Sequence, residues 1–291
     1  MEEIRYRVRH LTSYRYSGRV DLCHSLAHLT PREEAASLLS HRLEIQPRPD
    51  FQSEQIDYFG NHTHYFSIQS SHAQLAVTTI FTIEKNIEPP SPALAGLAWD
   101  QFQPIKGFVD ESGVLLEDYV LPSHSCPVIE EVKSFLQPSL VPGKDLLALA
   151  DEVMGRIFTE FTYKPGATDT DTPIKEALSK KEGVCQDFAH VMIACFRSLG
   201  VPTRYVSGYL ETLPPPGKPK LQGADASHAW VEVYFPVIGW IPFDPTNNQR
   251  PGERHIKLCH GRDYFDVQPL RGIFLGSGSQ ILSVEVDVER L

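Results

Sequence analysis

The chain has 291 residues, enough for two domains at roughly 150 residues each, so neither half needs a disulfide or metal staple to build a core. Apolar residues make up 41% and charged residues 22%, as in an ordinary globular chain, and no stretch nears the ~20 consecutive apolar residues of a membrane span. With 27 Lys and Arg against 37 Asp and Glu, the net charge is −10, which argues against nucleic acid as a partner because phosphate contacts need a basic face.

The first residues carry charges at every second position and lack the apolar run of a secretory signal. Five cysteines occur, Cys23, Cys126, Cys185, Cys195 and Cys259, widely spaced and without a C-x-x-C. They read as free thiols of a reducing cytoplasm, with no membrane attachment, and not as a disulfide framework.

Residues 4–10, 43–46, 65–68 and 75–83 alternate apolar and polar, the pattern of half-buried strands. Gly60-Asn61 between two such runs marks a turn. Short strands at this spacing predict an antiparallel sandwich or barrel over roughly residues 1–122. Pro89, Pro90, Pro92 and Pro104 break the following stretch, and residues 122–127 read as a linker.

The second part, 123–291, changes character. Apolar residues at 146, 147, 150, 153, 154, 157, 158 and 161 form a helical stripe. Residues 173–180 read as a short helix with Asp171 or Thr172 as its cap. Residues 185–199 form a stronger helix whose Phe188, Ala189, Met192, Cys195, Phe196 and Leu199 share one face, closed by Gly200 and Pro202. Strands are predicted at 203–210, 228–235, 240–243 and 280–289, the last counted with this second part. Pro214, Pro215, Pro216 and Pro219 make a stiff exposed connection between the first two.

Cys185 follows a glycine turn and opens the strong helix. First-turn amides and the helix dipole favour an anion there, so its thiol is expected to be acidified and nucleophilic. His228 stands at a strand start after a polar loop, sharing a strand face with Trp230, Glu232 and Tyr234. Asp244 ends the next strand, near the same end of the hairpin, where it could hold one imidazole nitrogen and leave the other for the thiol. Each has an ordinary alternative: a packed helix cysteine, a surface histidine, an Asp-Pro turn. Their joint occurrence favours the chemical reading.

The segments 183–190, 200–209, 228–233 and 239–246 together resemble the bacterial transglutaminase-like proteins, often labelled cysteine proteases. Segments 10–16, 29–31 and 57–62 resemble that family's β-rich N-terminal region, so the likeness spans nearly the whole chain. It implies an α+β protein: an N-terminal antiparallel β-sandwich followed by a papain-like transglutaminase core, with Cys185, His228 and Asp244 in the catalytic order. It also implies thiolate attack on an amide carbonyl to give a thioester, with a protein or peptide amide as substrate. Water is the favoured acceptor; an amine-accepting transglutaminase, or a protein-binding scaffold without activity, are the alternatives. The Cys185 amide and the Tyr163 hydroxyl are oxyanion candidates. Gln186, Asp187 and Trp230 are placed near the site.

No cofactor and no metal is expected. His62 and His64 could share a strand face, but nothing completes a ligand set. His190 lies some 140° round the helix from Cys185 and is a poor partner for it. Arg262, in Gly261-Arg262-Asp263-Tyr264, is expected to pair a carboxylate.

Overall fold

The computed structural model describes residues 3–32, 36–86, 96–213, 225–236 and 238–291. The connection at 214–219 and the prolines at 89, 90 and 92 fall outside them. The alternation seen at residues 4–10 belongs to a strand of 25 residues, β1 (Glu3–Ala27). Ile4, Tyr6, Val8, His10 and Thr12 all turn inward and are buried. The strand changes course between Arg15 and Val20, where its register with the neighbouring strand shifts. Gly18 sits at this bend. A Cβ there would lie 2.3 Å from the Ser277 carbonyl oxygen, so the close backbone approach requires glycine.

Around β1 the chain adds β2 (Ser37–Gln46), β3 (Phe51–Ile56), β4 (His62–Ile68) and β5 (His72–Asn86) in the order β2-β5-β1-β4-β3. Then come α1 (Glu130–Leu136), α2 (Leu146–Glu160), β6 (Thr162–Tyr163), α3 (Ile174–Lys180), β7 (Glu182–Gly183) and α4 (Cys185–Ser198). The strands β8 (Thr203–Leu210), β9 (Ala226–Phe235), β10 (Gly239–Phe243) and β11 (His255–Gly261) form a second antiparallel sheet, ordered β10-β9-β8-β11. The last two strands, β12 (Leu270–Gly276) and β13 (Gln280–Arg290), return to β1. The C-terminal strand, grouped by sequence with the second half, is therefore hydrogen-bonded into the first sheet. The free edge of β1 accepts it, and Val286 and Val288 are buried there.

The whole is a β-rich mixed fold with four α-helices among the described residues. The helix α4 crosses the second sheet and is enclosed by α1, α2 and α3 on its other sides. It is buried on nearly every face, including Val191, Ile193 and Ala194 as well as the stripe expected from sequence. Each fully buried Val, Ile, Phe or Met among them contributes about 1.5–3 kcal/mol relative to exposure. In α2 the Asp145 carboxylate caps the start, accepting from Leu147 N at 2.8 Å and Ala148 N at 3.2 Å. The cap expected for α3 differs. Pro173 occupies the cap position and no side chain bonds there, because Thr172 turns back to Asp169 instead, donating to its carboxylate at 2.8 Å.

One apolar core runs through both sheets. Polar locks add direction to that contact. Asn61, in the turn expected at Gly60-Asn61, accepts from His260 N at 3.0 Å and donates to His260 O at 2.8 Å. Tyr6 donates to Glu211 at 3.0 Å, and His10 meets the Tyr209 hydroxyl at 2.8 Å. The buried Arg204 guanidinium bonds Glu232 at 2.6 Å and Glu111 at 2.8 Å while lying 4.2 Å over Trp240. No helix among the described residues is long and apolar enough to cross a membrane.

Candidate active site

The start of α4 is built by its neighbours in sequence. Gly183 lets the Asp187 carboxylate fold back against the backbone; a Cβ there would lie 2.6 Å from that oxygen. The same oxygen accepts from Val184 N at 2.8 Å and from the Thr168 hydroxyl at 2.7 Å. The residue before the helix, Val184, carries no side-chain acceptor of its own, so first-turn amides remain available to an incoming anion. Parallel pairing of β6 with β7 fixes the approach to this turn, with Lys164 N donating to Gly183 O at 2.8 Å.

Cys185 is half-buried at this helix start. The other four cysteines are buried. Burial pushes the Cys126, Cys195 and Cys259 thiols up to about 12 and raises Cys23 as well. These four behave as small apolar side chains.

The hairpin β9–β10 supplies the partners. Pairing of Phe243 with Val231 leaves Asp244 just past the strand end, on the side where β9 begins. Its Oδ2 lies 2.8 Å from His228 Nε2, and the ring stands close enough to Cys185 for a charge on the sulfur to act on it. Burial would make His228 less basic. The hydrogen bond to Asp244 and the charges of Asp244 and Cys185 outweigh it and push the ring up to about 10. For Asp244 burial likewise works against the charge, but donors from His228, His255 and Asn247 hold it well below the ordinary carboxylate range. Thiol, imidazole and carboxylate thus stand in one chain, the last two joined by a hydrogen bond and the sulfur within electrostatic reach of the ring. Such a chain can hold a positive charge beside a sulfur anion and move a proton from the ring.

The remaining expected residues take different places. Tyr163 is exposed, with its ring edge-on to Phe188 at 6.3 Å, and it lies near enough to Cys185 for a thiolate there to raise its hydroxyl further after burial. Asp187 is spent on the turn before the helix, and Gln186 Nε2 donates to the Thr170 carbonyl at 3.5 Å. Trp230 is buried against His228 and His255, with ring centroids 6.1 and 5.3 Å away. Its indole lies over Gly208, where a Cβ would come within 2.7 Å of it.

His190 accepts from Tyr264 N at 3.2 Å, with burial lowering it to about 4. Arg262 pairs Asp266 at 2.9 Å, as its setting suggested. His64 is buried against the Thr30 hydroxyl at 2.7 Å. Among the described residues two groups of side chains could converge on an ion: His228, Asp244 and His255, and Asp110, Glu111 and His260. In the first, Asp244 serves both imidazoles. In the second, the Arg204 guanidinium bonds Asp110 and Glu111 and sits 3.3 Å from His260.

Sequence reasoning missed His255 and Asn247. His255 Nε2 lies 3.0 Å from Asp244 Oδ2, and Asn247 Nδ2 donates to that oxygen at 2.7 Å. Asn247 follows Asp244 by three residues and could have been found from the turn. His255 gives no such signal, because β11 is buried on both faces and shows no alternation.

Known proteins resemble this chain at two levels, sequence and fold. Residues 134–245 match the transglutaminase-like superfamily, and residues 6–84 match the bacterial transglutaminase-like N-terminal region. An uncharacterised protein of Mycobacterium tuberculosis is 38% identical over 293 residues, covering 98% of this chain and 92% of its own. A protein-glutamine gamma-glutamyltransferase of Pseudomonas aeruginosa is 30% identical over 132 residues, 45% of this chain and 20% of the relative. In fold, the chain is similar to a "Putative Cysteine Protease" from Cytophaga hutchinsonii, with a TM-score of 0.77 at 18% identity, covering 100% of this chain and 92% of the other.

Proposed function

Because the chain belongs to the bacterial transglutaminase-like proteins, we propose that it cleaves amide bonds of proteins or peptides through a thioester on Cys185, with His228 and Asp244 as the other two catalytic groups. The observation that carries this reading is the His228 ring held by Asp244 at 2.8 Å and standing within electrostatic reach of the Cys185 sulfur. We read the core as papain-like and the N-terminal half, residues 1–122, as a sandwich whose two leaves share the bent β1. Five unpaired cysteines favour a reducing compartment, the cytoplasm.

The steps follow from the charges. His228 is kept protonated through neutral pH and faces the sulfur as a cation, so a thiolate beside it is the nucleophile. The sulfur attacks the amide carbon, and the carbonyl π electrons move onto oxygen. That oxyanion is met by the Cys185 backbone N–H at the helix start, with the Tyr163 hydroxyl as a second donor. Collapse breaks the C–N bond, and the Nδ1 proton of His228 goes to the departing amine. The thioester remains. His228, now neutral, takes a proton from water as it attacks. The acid departs, and the sulfur and imidazolium are restored. Asp244 holds the ring with Nε2 toward itself and stabilises the imidazolium. Gln186, Asp187 and Trp230 border the site; Asp187 sets the turn before the helix and Trp230 packs against the imidazole.

An amine can replace water in the second half, which is the transferase reading; the Pseudomonas gamma-glutamyltransferase is the relative that favours it. The test is incubation with a glutamine-containing protein and a fluorescent primary amine. Cys185-dependent release of ammonia or peptide without incorporation supports hydrolysis. Covalent incorporation moves the assignment to transfer. Neither product, across varied amide substrates and with Cys185 still alkylatable, leaves the scaffold reading.

A further inference from the structure

Asp244 Oδ2 serves three side chains, and two of them, His255 and Asn247, stand outside the three groups assigned above; His255 is the ionisable one. His255 is 4% exposed, and its ring is held from both ends. Gly252 N–H points to Nδ1 at 3.4 Å, so Nδ1 is the acceptor and Nε2 carries the proton that is donated to Asp244 Oδ2 at 3.0 Å. The loop that carries Gly252 and His255 is in turn gripped from the other sheet. Lys85, at the end of β5, donates to the carbonyls of Gly252 at 3.0 Å, Glu253 at 3.3 Å and His255 at 2.6 Å. A single ammonium thus fixes three carbonyls of one loop.

We propose that His255 is a positioning residue for the reaction, holding the Asp244 carboxylate in the orientation that serves His228 and drawing off part of its charge, and that Lys85 fixes the loop so that the N-terminal sheet sets the basicity of the catalytic imidazole. This rests on the Cys185–His228 reading above. A carboxylate that accepts a hydrogen bond from a neutral donor presents less negative charge to its other partner. Without His255, the charge of Asp244 falls more fully on His228, and the imidazolium becomes harder to deprotonate. The ionisable groups facing this unit are Cys185 from α4, Asp244 after β10, His255 at the start of β11, and Lys85 from β5 with Glu253 beside it.

The test is the pH dependence of Cys185 alkylation by iodoacetamide, which needs no substrate. In the wild-type chain the rate should rise in two waves, the upper one marking loss of the His228 proton. His255→Ala should move the upper wave to higher pH by about one unit, the worth of one hydrogen bond to a charged group. His255→Gln keeps an N–H donor at nearly the same reach and should restore the wild-type profile. Lys85→Met, which keeps most of the stem, should shift the wave in the same direction as His255→Ala. Wild-type profiles in His255→Ala and Lys85→Met would overturn the proposal while leaving the Cys185–His228 pair intact. If His255→Ala does not fold, the Lys85→Met profile decides by the same criterion. A wild-type profile with one wave, unchanged by His228→Ala, would instead overturn the underlying assignment of the reacting pair.

Discussion

Replacing Asp244 by Asn probes the middle of the hydrogen-bond chain with almost no change in volume. Asp244 is fully buried, and its two oxygens have separate duties. Oδ1 accepts from Thr246 N at 3.0 Å and Asn247 N at 3.3 Å; Oδ2 accepts from His228, His255 and Asn247 Nδ2. An asparagine that keeps its oxygen toward the two backbone amides turns an NH2 toward three former donors. Asn247 is exposed and can turn to water, and His228 can adapt by moving its proton to Nδ1. The buried Nε2–H of His255 has no such escape. One stranded donor costs about 1–3 kcal/mol, so urea unfolding at neutral pH should lose that amount and no more. The chemical cost is larger. His228 would sit as a neutral ring with the wrong tautomer, and the equivalent change in a serine triad costs about 10⁴ in turnover. An unassisted thiol ionising near 8.5 is only about one per cent thiolate at pH 6.5, so iodoacetamide labelling of Cys185 there should fall by roughly 10–100-fold. Near-wild-type labelling with the expected stability loss would refute the reasoning and mark Asp244 as a structural turn residue.

Three other outcomes are expected. Gly208→Ala should destabilise the fold and disturb the site, since its Cβ would lie 2.1 Å from the Ile256 carbonyl oxygen and 2.7 Å from Trp230; thermal unfolding unchanged from wild type would contradict that packing. His228 is raised to about 10, so its contribution to stability is complete below its ordinary 6.5 and is lost as pH climbs through about 10; chemical denaturation of His228→Ala should lack that alkaline decline, and a decline of wild-type size would reject it. Residues 214–219 can be replaced by a short Gly/Ser link without loss of fold, because Thr212 N donates to Asp225 at 3.0 Å and Val288 N to Asp225 at 2.7 Å at the base of this connection. That variant should alter turnover of large amide substrates more than alkylation by a small reagent, and equal rates for both classes would remove the connection from recognition.

How much of this was legible in the sequence depended on whether a residue's role lies in its own segment. The helices α2 and α4 and the strands β8, β9 and β10 announce themselves by periodicity and by Gly200 and Pro202, and they carry Cys185, His228 and Asp244 into place. The full length of β1 does not show, because the alternation lapses where the strand bends near Gly18. The destination of β13 does not show either, since a strand pattern names no partner and β1 lies nearly the whole chain away. For α3 the sequence offers Asp171 and Thr172 as caps, but Asp169 competes for Thr172 and wins. His255 and Lys85 are the hardest to see. One sits in a strand buried on both faces; the other is a charged residue at a strand end whose partners lie 167–170 residues away.

The central claim is that Cys185 reacts because His228, held by Asp244, places a positive charge beside it. Site-resolved iodoacetamide labelling of all five cysteines at pH 6.5, in the wild-type protein and in His228→Ala, tests this most directly. Cys185 should label far faster than Cys126, Cys195 and Cys259, and its rate should drop at least about tenfold in His228→Ala while the other four stay as they were. A Cys185 rate that is the same in both proteins, or no faster than that of Cys259, would contradict the account.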